Sequence, residues 1–185
     1  GIGISAYAAH NIAGQIESFS YLPAMAFGTA SATLIGQSLG IGEKETAEKY
    51  GYISFITSSL IMVIIGIFFF FYSKELVMIL TDDKKVIEYS SDVLRLIALF
   101  QPFLASTQVI SSSLQGAGDT KFPMYLTIVG IWGIRVLGLY IVSLYINLNL
   151  YIVWISYVVE IIFRGSLLFI RFYKGNWKNI SIGEC

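Results

Sequence analysis

The sequence predicts an all-α fold: a polytopic membrane helical bundle of about five transmembrane helices. Three observations carry that expectation. The 185 residues are 56% hydrophobic and only 13% charged, too apolar for an ordinary water-soluble domain. The apolar residues fall into runs long enough to cross about 30 Å of hydrocarbon. Glycine-rich and charged connectors separate the runs. Lysine and arginine balance aspartate and glutamate at 12 each, so no basic face points to nucleic acid as a partner. A lone cysteine, Cys185, excludes an internal disulfide and offers no metal-binding cluster. The chain starts without methionine and reads as a piece of a longer protein.

The first span covers about residues 5–40 and carries a glutamate near its middle. At 100° per residue, Ile12, Ile16, Phe19, Phe27 and Leu34 form one stripe, and His10, Gly14, Glu17, Tyr21 and Gly28 the opposite one. The apolar stripe suits lipid. A carboxylate at the bilayer centre costs at least about 2.5 kcal/mol unless it faces protein or a watery cavity, so Glu17 is expected to look into a bundle or a path. Ala24, Gly28, Ala32, Gly36 and Gly40 make a ridge of small residues against which another helix can approach closely. Pro23 predicts a kink in mid-span.

The connector EKETAEKY starts the helix of the second span, about 51–72, whose run SSLIMVIIGIFFFFY has no charge and reads as a lipid-facing structural helix. From about 73 to 92, charged residues alternate with apolar ones at helical spacing, the pattern of an amphipathic segment lying at the interface. The third span, about 93–115, carries Gln101, Pro102, Thr107, Gln108 and three consecutive serines, a density of hydrogen-bonding groups that suits helix contacts or a water-lined cavity. Tyr21, Gln101 and Gln108 are therefore candidates for the lining of a substrate cavity. The connector QGAGDTKFP predicts a tight turn with Asp119 or Thr120 capping a fourth span, about 123–146, that has Pro123 in its first turn. A fifth span, about 150–172, follows the link NLN and ends in the basic, aromatic anchor RFYKGNWKNI.

Arg135 lies 13 residues before Leu148 and Glu160 lies 12 after it. An antiparallel hairpin turning there brings both to about 20 Å below the turn, so they are expected to pair, with Arg164 as a competing partner one helical turn beyond Glu160. This trio reads as structural buried charge. Glu17 has no evident cation in the chain, and His10 is the other ionisable group on its stripe. A carboxylate withdrawn from water can take up and release a proton, or bind Na⁺, which makes Glu17 and, less directly, His10 the candidates for ion coupling. Lys44, Lys49, Lys121, Arg171, Lys174 and Lys178 fall on one side of a five-span arrangement and Lys74, Lys84 and Lys85 on the other, which places Gly1 outside and Cys185 inside. The sequon Asn179-Ile180-Ser181 then falls on the cytoplasmic side and is discounted. No nucleophile, acid–base or metal-ligand constellation marks an enzyme.

Three stretches, AAHNIAGQIESFSYLPAMAFGTASATLIGQSLGIG, LFQPFLASTQVISSSLQGAGDTKFP and WGIRVLGLYI, resemble the C-terminal lobe of the MATE (multidrug and toxic compound extrusion) transporters. The resemblance runs from Ser5 to Trp177 and is strongest at Ala8-Ala9-His10, Ile35-Gly36-Gln37 and the connector Leu114 to Thr120. It implies twelve helices in two six-helix lobes, of which this chain would supply the eighth to twelfth, the N-terminal lobe and seventh helix being its missing partners. It also implies a multi-pass protein of a prokaryotic plasma or inner membrane that exports drugs or organic cations in exchange for H⁺ or Na⁺, with no other cofactor. Acids in the seventh and tenth helices of the family are tied to coupling. Here the tenth-helix equivalent offers only Asp92 at its mouth and Gln101 within, leaving Glu17 as the available acid. The alternatives are a lipid-linked saccharide flippase of the same superfamily, which would need a more cationic cavity, and a non-transporting membrane scaffold subunit, which would tolerate loss of Glu17.

Overall fold

The computed structural model describes residues 3–146 and 149–179, and among them every regular element is helical. Helix α1 runs Ile4–Gly40, α2 Lys44–Phe71, α3 Ser73–Met78, α4 Lys84–Ala98, α5 Gln101–Gly116, α6 Lys121–Tyr145 and α7 Leu150–Tyr173. A short 3₁₀ turn, Asn176–Asn179, closes the described chain. The turn centre Leu148, the sequon residues Ile180 and Ser181, Gly1 and Cys185 lie outside the described residues.

Helices α2, α6 and α7 are each long and apolar enough to cross a membrane, and α4 with α5 gives a fourth if the bent pair counts as one span. The fold is thus a helical membrane bundle. At 37 residues α1 has the length to cross, but its polar residues keep it out of that set.

Helices α1 and α2 pack side by side, and α5 lies across both. The ridge of small residues on α1 is where α5 approaches. A Cβ on Gly116 would collide with the backbone of Ala32, and one on Gly36 would come within 3.2 Å of the Gly116 carbonyl. Gly28 faces Ser112 and the Gln108 carbonyl, and Ser31 and Ser113 share a 2.7 Å hydrogen bond. Gly40, expected to continue the ridge, has nothing within contact range.

Three local expectations are corrected. Ile16, placed on the lipid stripe, is buried, because the α1 face that packs against α4 and α7 is set by Ala9, Ala13, Ile16 and Ser20. Helix α1 runs on through Pro23, which leaves the Phe19 carbonyl without its intrahelical donor. The third span does not start at residue 93. Helix α4 continues through that position from its Asp83 cap, whose carboxylate accepts from the Lys85 and Val86 amides, and the chain bends by 67° only at Leu99 and Phe100. Pro102 fixes the bend there, since its ring fits the first turn of a new helix and not the interior of an old one. Finally, neither Asp119 nor Thr120 caps α6 with its side chain. Asp119 instead accepts a 2.8 Å hydrogen bond from Arg171 Nε, tying the connector to the end of α7.

Candidate functional site

Glu17 is 4% exposed, at a point on α1 where α7 brings its own side chains close. The Tyr157 hydroxyl donates a 2.9 Å hydrogen bond to Glu17 Oε1, and the Tyr21 hydroxyl, one turn along α1, lies 3.2 Å from the same oxygen. The two phenols also hydrogen-bond each other. Burial removes water from the carboxylate, and the two hydroxyls take water's place.

Beside this cluster is a cavity of about 390 Å³ lined by His10, Gly14, Glu17, Arg135, Val153, Trp154 and Tyr157. His10 is exposed and its ring leans on Trp154, 5.5 Å between centroids. Trp154 meets Tyr157 edge-on at 5.6 Å. The Arg135 guanidinium lies over the Tyr157 ring, 4.1 Å from its centroid. The aromatic wall thus separates a carboxylate from a guanidinium, with both reaching the same space.

Glu160 is fully buried and meets two arginines, Arg164 Nε at 3.0 Å on its own helix and Arg135 at 3.5 Å from α6. The antiparallel α6 and α7 do bring Arg135 and Glu160 together. Both contacts are within ion-pair distance without hydrogen-bond alignment, so the Glu160 oxygens and both arginine Nε atoms have no hydrogen-bond partner among the described residues. Gly130 makes room: a Cβ there would be 3.1 Å from Glu160 Oε1.

The polar residues assigned to a substrate cavity do not converge. Tyr21 belongs to the Glu17 cluster. Gln101 is wholly buried under Gly66 of α2, with neither amide atom partnered among the described residues. Gln108 lies half-buried in a π turn of α5. Sequence reasoning missed Tyr157 and Trp154, which join α7 to Glu17. Their spacing was a usable signal: Trp154, Tyr157 and Glu160 succeed one another at three-residue intervals and so share one helix face. The expectation that no cation stands near Glu17 is also corrected, because Arg135 borders the same cavity.

A MatE family model matches residues 1–141, three quarters of the sequence and both α1 and Arg135. The chain belongs to the MatE family. A relative from Thermotoga maritima named a probable multidrug resistance protein NorM is 35% identical over 97% of this chain and 39% of its own length. The relative of the same name from Mannheimia succiniciproducens is 30% identical over 94% of the chain and 38% of its own length. The probable multidrug resistance protein YoeA of Bacillus subtilis is 26% identical over 97% and 39%. This MatE chain therefore spans about two fifths of the length of the curated relatives it matches.

Proposed function

We propose that the full-length protein is a multidrug efflux antiporter of a prokaryotic plasma membrane, that this chain is most of one of its two lobes, and that Glu17 is a coupling acid. The observation that carries the reading is the buried Glu17 carboxylate, hydrogen-bonded by two phenols on the wall of an aromatic cavity. The names of the relatives support drug export. An intramembrane acid that opens onto a cavity can bind either a proton or an organic cation. Mutual exclusion of the two is what antiport requires.

The donor set favours H⁺ over Na⁺. A hard cation seeks several oxygen ligands, and the donors around Glu17 are one carboxylate and two phenols already hydrogen-bonded to it and to each other. The lipid bilayer and the remaining lobe complete the transporter, and lipophilic or organic cations are its substrates. The test is ethidium efflux from vesicles containing the full-length protein under separately imposed H⁺ and Na⁺ gradients. Wild type is expected to respond to the H⁺ gradient and Glu17→Gln to lose that response. Gradient-driven efflux by Glu17→Gln at the wild-type rate would refute the assignment.

A further inference from the structure

Glu17, Glu160, Arg135 and Arg164 form one connected group of ionisable side chains, its two acids buried and its two halves bridged by Tyr157. Two carboxylates and two guanidiniums balance only when Glu17 is ionised. Glu160 alone is met by both arginines, so one of the two cations is surplus to it. Arg135 is that cation on two counts: its contact is longer, 3.5 Å against 3.0 Å, and its side chain is more exposed, 33% against 18%. It is also the arginine that borders the Glu17 cavity.

We propose that Arg135 is the resident counter-cation of Glu17, a tethered guanidinium that shifts between Glu160 and Glu17 and stands in for the transported cation whenever Glu17 is ionised and the cavity holds no substrate. The inference rests on the reading of Glu17 as the coupling acid. A bare carboxylate in a water-poor site is costly, and an antiporter must pass through a state in which the proton has left and the substrate has not arrived. Moving along the face of Tyr157, the guanidinium keeps a cation–π contact while it exchanges one carboxylate for the other. Glu160 is not stranded by the exchange, because Arg164 remains on it. Arriving substrate returns Arg135 to Glu160 by like-charge repulsion.

The other groups around Glu17 are accounted for. From α1 itself come His10 and Tyr21; α7 brings Tyr157. Helix α4, which packs against α1, carries Arg95 and Asp92, the latter accepting a 2.8 Å hydrogen bond from Tyr151. Helix α5 has no ionisable side chain, and α2 has none from Ile53 to Phe71.

The test reads Glu17 directly and does not depend on transport. In the purified full-length protein in lipid nanodiscs, the infrared C=O stretch of protonated Glu17, assigned by its loss in Glu17→Gln, is followed against pH. Arg135→Gln is expected to move the midpoint of that band upward by about 1 to 3 pH units, the effect of losing one nearby opposite charge. Arg135→Lys should stay within a fraction of a unit of wild type, and Glu160→Gln should move the midpoint downward, because it releases Arg135 to Glu17. A purely structural role for Arg135 would not give opposite signs. An unmoved midpoint in Arg135→Gln, or a rise in Glu160→Gln, overturns the proposal. Absence of a titrating Glu17 band in wild type overturns the underlying assignment of Glu17 as well.

Discussion

Glycine lets α1 and α5 cross with their backbones in close contact, and a single methyl group should measure how tightly that crossing is made. A Cβ on Gly116 would collide with the carbonyl, Cα and carbonyl carbon of Ala32. These are backbone atoms, so no rotamer change can relieve the contact, and Gly116→Ala must push the helices apart. Separation also stretches the buried 2.7 Å hydrogen bond between Ser31 and Ser113 and opens the contact of Gly28 with Ser112. Overpacking costs about 1 to 3 kcal/mol, and weakening one hydrogen bond adds about 1 kcal/mol, so a loss of about 2 to 4 kcal/mol is expected. The matched control is Gly138→Ala on α6, where the new Cβ meets nothing and helix propensity alone favours alanine by up to about 1 kcal/mol. Both variants are compared with wild type by denaturation of the full-length protein in mixed micelles. Ala32→Gly added to Gly116→Ala should give no rescue, since the clash is with backbone and not with the Ala32 methyl. Equal stability of Gly116→Ala and Gly138→Ala, or rescue by Ala32→Gly, would refute the close-packed crossing.

Glu160→Gln should destabilise the fold more than Arg135→Gln, by about 3 kcal/mol against less than half of that. Losing the carboxylate takes away the acid that both guanidiniums meet and leaves Arg164 without its ion pair, whereas losing Arg135 leaves the Arg164 contact in place; the same denaturation assay ranks them. Trp177→Phe should cost about 1 kcal/mol, the hydrogen bond its indole nitrogen donates to the Phe172 carbonyl at 2.8 Å. Trp177→Ala should cost about 3 to 5 kcal/mol through the added loss of its buried stack on Phe172, read as a drop in midpoint on thermal melting.

How far the sequence could be read depended on the range of the interaction. The meeting of Arg135 with Glu160 was legible, because a short hairpin fixes relative depth and residue counting suffices. The ridge from Gly28 to Gly36 was legible as a close-packing surface, though nothing in its spacing named Ser112 and Gly116 as its partners. The partner of Glu17 was not legible: Tyr157 is 140 residues away, and only the packing of α7 on α1 makes it a neighbour. Ile16 was misassigned for a related reason. A helix touched by α2, α4, α5 and α7 has a buried arc wider than a single stripe, and apolarity cannot say whether lipid or protein covers it. The bend at Leu99 and Phe100 was marked by Pro102, but the charge of the preceding segment drew the boundary toward residue 93.

Residue counting gave Arg135 its depth but could not give its direction, and the helix that carries it explains why. Residues Val129–Leu137 of α6 are wound as a π-helix, whose hydrogen bonds close at i+5 instead of i+4. In an α-helix, Gly130 and Arg135 would lie about 140° apart around the axis, too far for both to meet one carboxylate. The wider turn brings residues five apart toward a common face, and here both meet Glu160, Gly130 through its missing side chain and Arg135 through its guanidinium. The same winding leaves Arg135 pointed over the Tyr157 ring and into the cavity shared with Glu17. The wide turn of α6 is thus what converts a pairing at equal depth into a link between two buried acids on different helices.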